Sequence, residues 1–323
     1  MDRQLDSSTA PTARVAVAFL AVYLIWGSTY LGIRIANETL PPFLMAGTRF
    51  VIAGAVLYLW ARWKGAAPPT RAQWRPATVI GGLLLLGGNG GVVWAEFDNR
   101  VPSGLAALLV SMVPLWLVLI EWLRPGGYRP TAKIVVGLAL GFSGILLLVG
   151  PSELAGGVRV DPWGAAVLTF ATISWASGSI YSRHAHLPKS APLTTAMQML
   201  AGGVLLLVVG TIAGDWGRLD IAKISLRSVV ALGYLIAFGA LIAYTAYIYI
   251  LRVSTPARVG TYAFVNPVVA VVLGWAIVDE ALSMRTMLAA AVIVVGVAFI
   301  TLSPARGRNQ STDSPSGTPP TGP

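Results

Sequence analysis

Apolar residues in this chain come in long unbroken runs. They show neither the two-residue alternation of a half-buried strand nor the one-sided stripe of a surface helix. Ten runs stand out, at 15–36, 43–63, 77–97, 101–123, 131–150, 161–184, 192–213, 226–251, 256–279 and 284–302. Each approaches the ~20 residues that a helix rising 1.5 Å per residue needs to cross ~30 Å of hydrocarbon. Lipid offers backbone groups no partner, so runs of this kind predict spanning helices. The expected fold class is an all-α integral membrane protein with ten transmembrane helices. The first run is longer than a signal-peptide core and no small-residue cleavage site follows it, so it reads as a retained helix. Residues 1–14 read as a cytoplasmic N-terminal tail. Residues 304–323, rich in Pro, Ser, Thr and Gly, read as a disordered cytoplasmic tail.

The runs repeat. A shift of 149 residues places Trp26, Tyr30 and Arg34 on Trp175, Ser179 and Arg183, Arg49 on Gln198, and Gly54 on Gly203. Later, a shift of 153 places Pro114 on Pro267. The chain therefore divides into a first repeat, 15–150, and a second, 151–303. Five crossings per repeat force the second to enter the membrane from the opposite side, giving two inverted five-helix units able to exchange conformations.

Composition agrees. The 323 residues are 55% hydrophobic and 11% charged, with a mean hydropathy of +0.71, against about 25% charged for soluble domains. The net charge of +10 would suggest nucleic acid in a soluble protein, but here the basic residues alternate by loop. With the N-terminus inside, fifteen of the 23 lysines and arginines fall on inner segments, which places both termini in the cytoplasm of a multi-pass cell-membrane protein. The loop after the seventh run runs against this trend, with Arg218, Lys223 and Arg227 beside Asp215 and Asp220. There is no cysteine, hence no disulfide or thiolate site.

Several polar residues sit where lipid or packing would favour apolar ones. Trp26, Tyr30 and Arg34 are spaced four apart, one face of a helix, and Trp175, Ser179 and Arg183 repeat the spacing. These stripes are candidates to line a pathway, with Arg34 and Arg183 as outer and inner gate. Arg49 lies well inside the second run, where a lone charge costs at least ~2.5 kcal/mol. Glu96 is the best-placed partner and the candidate for proton coupling, with Asn89, Asp98 and Asn99 nearby. Pro114 and Pro267 each remove a helical hydrogen bond and free a carbonyl, and Asn266 adds an amide. Tyr244, Tyr247 and Tyr262 offer aromatic walls. The glycines between Gly81 and Gly91 lack the Lys-Ser/Thr ending of a phosphate loop and read as close helix packing.

Trp26-Gly27-Ser28, Leu40-Pro41-Pro42 followed by Arg49-Phe50, Val101 to Leu109 leading to Val113-Pro114, and Asn266-Pro267 followed by Asp279-Glu280 together resemble the EamA family of the drug/metabolite transporter superfamily. The resemblance covers about 15–303. It implies ten helices in two inverted repeats around a central cavity, and secondary active export of metabolites such as amino acids, or of drugs, often by proton exchange. Gly127 stands where the first repeat would carry the counterpart of Glu280, a departure from symmetrical acidic endings. The implied partners are a small-molecule substrate, the bilayer and protons as coupling ion, with no nucleic acid. An enzyme is not expected, since the runs hold no nucleophile and base or metal-ligand set, and neither a cofactor nor a metal is expected. The alternative is a passive channel or facilitator for small organic solutes, although no ring-forming filter segment stands out.

Overall fold

The computed structural model describes residues 12–97, 108–149, 162–278 and 283–303. Among the described residues the secondary structure is helical, and each predicted run falls on a helix: α1 Thr12–Ala36, α2 Pro42–Trp63, α3 Arg71–Ala95, α4 Leu108–Leu123, α5 Ala132–Val149, α6 Pro162–His184, α7 Ala191–Ile212, α8 Leu226–Val253, α9 Tyr262–Val278 and α10 Met284–Thr301. Seven of them (α1, α2, α3, α5, α7, α8 and α10) are long and apolar enough to cross a membrane, and α4 is a shorter apolar helix. The tails 1–11 and 304–323, with Asp98, Asn99, Val101 to Ala107, Asp279 and Glu280, lie outside the described residues.

Large apolar side chains face outward: Leu20, Leu24 and Leu31 on α1, Leu59 and Trp60 on α2, Phe170 on α6, Val294 and Val295 on α10. A water-soluble monomer rarely exposes such surface. Inside, an apolar core that includes Met45, Leu84, Leu117 and Leu168 also holds polar residues: Thr172, Ser174, Ser179, Thr194, Thr195 and Gln198 are all buried. A bundle that exposes this many large apolar side chains while burying hydroxyls is suited to lipid.

Two helix pairs form extended seams, α2 with α7 and α5 with α10. Both are closed by glycine. A Cβ on Gly203 of α7 would lie 2.8 Å from the Val51 nitrogen of α2, and one on Gly296 of α10 would lie 2.7 Å from the Gly141 nitrogen of α5. Backbones this close leave no room for a side chain, which is how membrane helices gain dispersion contact when lipid supplies no hydrophobic drive. Between the seams, α1 packs on α8 and α9, while α6 packs on α3 and α4.

Helices α3 and α8 are not uniform. Gly82–Gly90 and Leu235–Tyr244 widen into π-helix, a form that recurs at functional sites, and the two segments begin 153 residues apart. The turn after α7 is anchored by Asp215, fully buried. Its Oδ2 accepts from the Phe43 and Leu44 nitrogens at 3.0 and 3.3 Å. These are free N–H groups of the first turn of α2, which a carboxylate satisfies both by hydrogen bonding and by charge.

Candidate functional site

Helices α1, α2, α3, α4, α6, α8 and α9 enclose a cavity lined by Trp26, Thr29, Tyr30, Ile33, Arg49, Phe50, Gly88, Asn89, Val92, Val110, Val113, Ala171, Thr172, Trp175, Gly239, Tyr244, Tyr262 and Asn266. It leaves about 100 Å³ for the centres of water molecules. On α1 the lining residues lie at and C-terminal to Trp26, and on α6 they lie at and N-terminal to Trp175. The cavity therefore stands on one side of a layer of aromatic rings.

That layer is continuous. The Trp26 ring centre lies 5.6 Å from Trp175, 5.0 Å from Tyr247 and 5.1 Å from Tyr262, and Trp175 lies 5.4 Å from Tyr247. Such edge and tilted contacts each add about 0.5–1.5 kcal/mol beyond area burial. A hydrogen-bond circuit locks it. Ser179 Oγ donates to the Trp175 carbonyl at 2.7 Å, so its single proton is spent and Tyr247 Oη must donate to Ser179 Oγ, 2.6 Å away. Tyr247 Oη in turn accepts from Trp175 Nε1 at 2.8 Å. Two further bonds tie α1 and α6 to the widened segments: Trp26 Nε1 donates to the Gly239 carbonyl at 3.2 Å and Ser174 Oγ to the Leu83 carbonyl at 2.7 Å. A π turn misaligns its own carbonyls, and these side chains satisfy two of them.

The cavity wall on α2 and α3 is charged and polar. Arg49 is 4% exposed, and its Nη2 donates to Asn89 Oδ1 at 2.8 Å. Its guanidinium carbon lies 4.3 Å from the Phe50 ring centre. Phe50 and Tyr244 are 6.3 Å apart, and the Tyr244 hydroxyl donates to Gln198 Oε1 at 3.2 Å. Asn266, with its amide turned to satisfy both ends, donates to the carbonyls of Tyr262 at 3.0 Å and Tyr23 at 3.3 Å, which fixes α9 to α1.

Eight of the residues singled out in the sequence meet at this cavity: Trp26, Tyr30, Arg49, Asn89, Trp175, Tyr244, Tyr262 and Asn266. Others lie elsewhere. Ser179 and Tyr247 are fully buried within the layer. Arg34 is exposed at the end of α1 and does not line the cavity, because a further turn of helix carries it past the wall. Arg183 is half-buried and donates to the carbonyls of Leu251 and, at 2.6 Å, Ser254. It thereby closes the C-terminal end of α8, where a cation meets both unpaired carbonyls and the negative end of the helix dipole.

One of the two prolines also differs from expectation. Pro114 is the second residue of the segment Val113–Leu123 and follows a turn at Ser111 and Met112. It starts a stretch rather than interrupting one, since its missing N–H costs nothing in a first turn. It packs against Gly260. Pro267 stands inside α9. The side chain of Glu96 lies outside the described residues.

Thr29 and Thr172 were not anticipated. Both are buried cavity-lining hydroxyls, each three residues from a stripe tryptophan on the same helix, the spacing that should have drawn attention to them.

The EamA-like transporter family profile matches residues 13–150 and 162–302. An uncharacterized inner membrane transporter of Escherichia coli K12, YedA, is 43% identical over 285 residues, covering 88% of this chain and 90% of that protein. A protein of the same organism named a probable amino-acid metabolite efflux pump is 23% identical over 293 residues, covering 87% and 92%. A solved crystal structure, 23% identical, superimposes with a TM-score of 0.72 over 90% of this chain and 98% of its own. With both halves of the chain matched and YedA aligned over nearly its whole length, this multi-pass membrane protein belongs to the EamA-like transporter family.

Proposed function

We propose that this chain is a secondary active exporter of small organic metabolites, working by alternating access between two inverted five-helix repeats. The observation that carries this reading is the cavity's position, walled by helices of both halves and floored by an aromatic layer on one side only. Such a chamber is open to one compartment at a time. Internal pseudo-symmetry supports it. Under exchange of the halves, α1 maps on α6, α3 on α8 and α4 on α9. The packing of α1 on α8 and α9 then becomes that of α6 on α3 and α4, while the seams α2–α7 and α5–α10 map on themselves. The two π segments share the 153-residue offset of Pro114 and Pro267.

With both termini cytoplasmic, the cavity lies on the outer side of the layer, and Arg183 with the Trp175–Ser179–Tyr247 circuit closes the inner side. Glu96, two turns beyond Asn89 on α3, is the proton carrier in this scheme. Export, rather than import, follows the relative named as an amino-acid metabolite efflux pump.

The test uses the purified chain in proteoliposomes loaded with a mixture of labelled metabolites, with and without an inward proton gradient. Saturable, protein-dependent loss of particular compounds, accelerated by the gradient and by unlabelled compound on the other side, is the expected result. Flux that rises linearly with concentration and ignores counter-substrate would make the protein a passive channel. Glu96→Gln should abolish the gradient's effect; unchanged transport and pH dependence would remove Glu96 from coupling.

A further inference from the structure

Arg49 is buried, yet its donors are not all used. Nη2 donates to the neutral amide of Asn89, while Nε has no acceptor. No ion pair among the described residues includes this guanidinium. Among the described residues this desolvated cation is held by an amide and by the face of Phe50, without what lowers its energy most, a counter-anion in bidentate contact. Arg49 is moreover part of the cavity wall, so an anion that enters the cavity reaches it without crossing packed protein.

The aromatic layer lies next to this cation on two helices. On α2, Phe50 follows Arg49 and packs toward Tyr244. On α3, Gly88 precedes Asn89, and a Cβ there would come within 2.7 Å of the Trp175 indole. A guanidinium therefore borders a floor of flat rings, with Thr29 and Thr172 among the lining hydroxyls.

We propose that the cavity takes a small organic monocarboxylate with a flat, unsaturated body. The carboxylate binds the Arg49 guanidinium beside Asn89, and the body lies against the Trp26 and Trp175 rings. The assignment rests on the transporter reading and narrows it: anions are preferred over neutral isosteres, and organic cations are excluded by the buried positive charge. Arginine suits this role because its planar fork matches a carboxylate and it stays charged when buried.

Isothermal titration of the purified full-length protein with three matched probes tests it: phenylacetate, phenylacetamide and phenethylamine. Phenylacetate should bind roughly tenfold or more tighter than the amide, the difference a charge-assisted pair makes over a neutral one. The amine should bind weakest. Arg49→Lys should narrow the gap and Arg49→Gln abolish it, and the wild-type comparison stands even where a variant fails to fold. Equal affinities, an amine that binds tightest, or no binding by any probe overturns the assignment. Uptake of the same probes into proteoliposomes separates the two readings. Transport of the amine without the carboxylate overturns the anion assignment and leaves the transporter. Selective binding of the carboxylate with no transport of any probe supports the assignment and counts against the transporter.

Discussion

Tyr247 shows how much one hydroxyl can hold. It takes a hydrogen bond from Trp175 and gives one to Ser179, and no part of the residue is exposed. Tyr247→Phe keeps the ring and removes the oxygen, leaving the Trp175 N–H without its acceptor and Ser179 without a donor. A buried unsatisfied group costs about 1–3 kcal/mol, so the melting temperature in detergent should fall by a few degrees; an unchanged value would mean that water replaces the oxygen. Sequence reading found Tyr247 as an aromatic wall and Ser179 as a stripe residue, but not their bond. Which hydroxyl meets which depends on how α6 and α8 come together, and spacing within one helix says nothing of that. Arg49 was legible for the opposite reason, since a charge seven residues into an apolar run is costly whatever surrounds it.

Among elements, the apolar runs gave the helices almost directly, because lipid enforces length and hydrophobicity together. The widened segments of α3 and α8 left no such mark: Leu235–Tyr244 is a plain apolar stretch, and apolarity alone does not tell a π turn from an α turn. The glycines of α3 were read correctly as packing residues. Gly81 sits where a Cβ would approach the Gly202 nitrogen of α7 within 2.8 Å, so Gly81→Val should force α3 from α7 and lower the yield of folded protein in detergent. Gly217→Ala, at a position with nothing within 4 Å, should leave the yield unchanged. Equal behaviour of the two variants in size-exclusion chromatography would show that the α3–α7 contact is loose.

At the scale of the whole molecule, the repeat and the charge bias together predict sidedness. The chain has no cysteine, so single reporters need no prior engineering. Lys64→Cys, in the turn after α2, should react with a membrane-impermeant maleimide only after cells are opened, whereas Gly217→Cys, in the turn after α7, should react in intact cells. Both sites are exposed. Labelling of the two from the same side would end the inverted arrangement, since α2 and α7 would then run in the same sense. Local acids explain why basic residues gather in that second turn. Arg218 Nη1 lies 3.6 Å from the buried carboxylate of Asp215 and Lys223 Nζ 2.9 Å from Asp220, so these cations answer local acids rather than the membrane's charge asymmetry.

The circuit of Trp175, Tyr247 and Ser179 leaves α6, passes through α8 and returns to α6. Sliding one helix past the other breaks both crossing bonds together and strands their ends in an oil-like setting, so a partly opened layer is worse than either a shut or a flooded one. Under the alternating-access scheme proposed above, intermediate openings are thus penalised, and the floor of the chamber would behave as a snap fastener with two resting positions rather than as an iris with many.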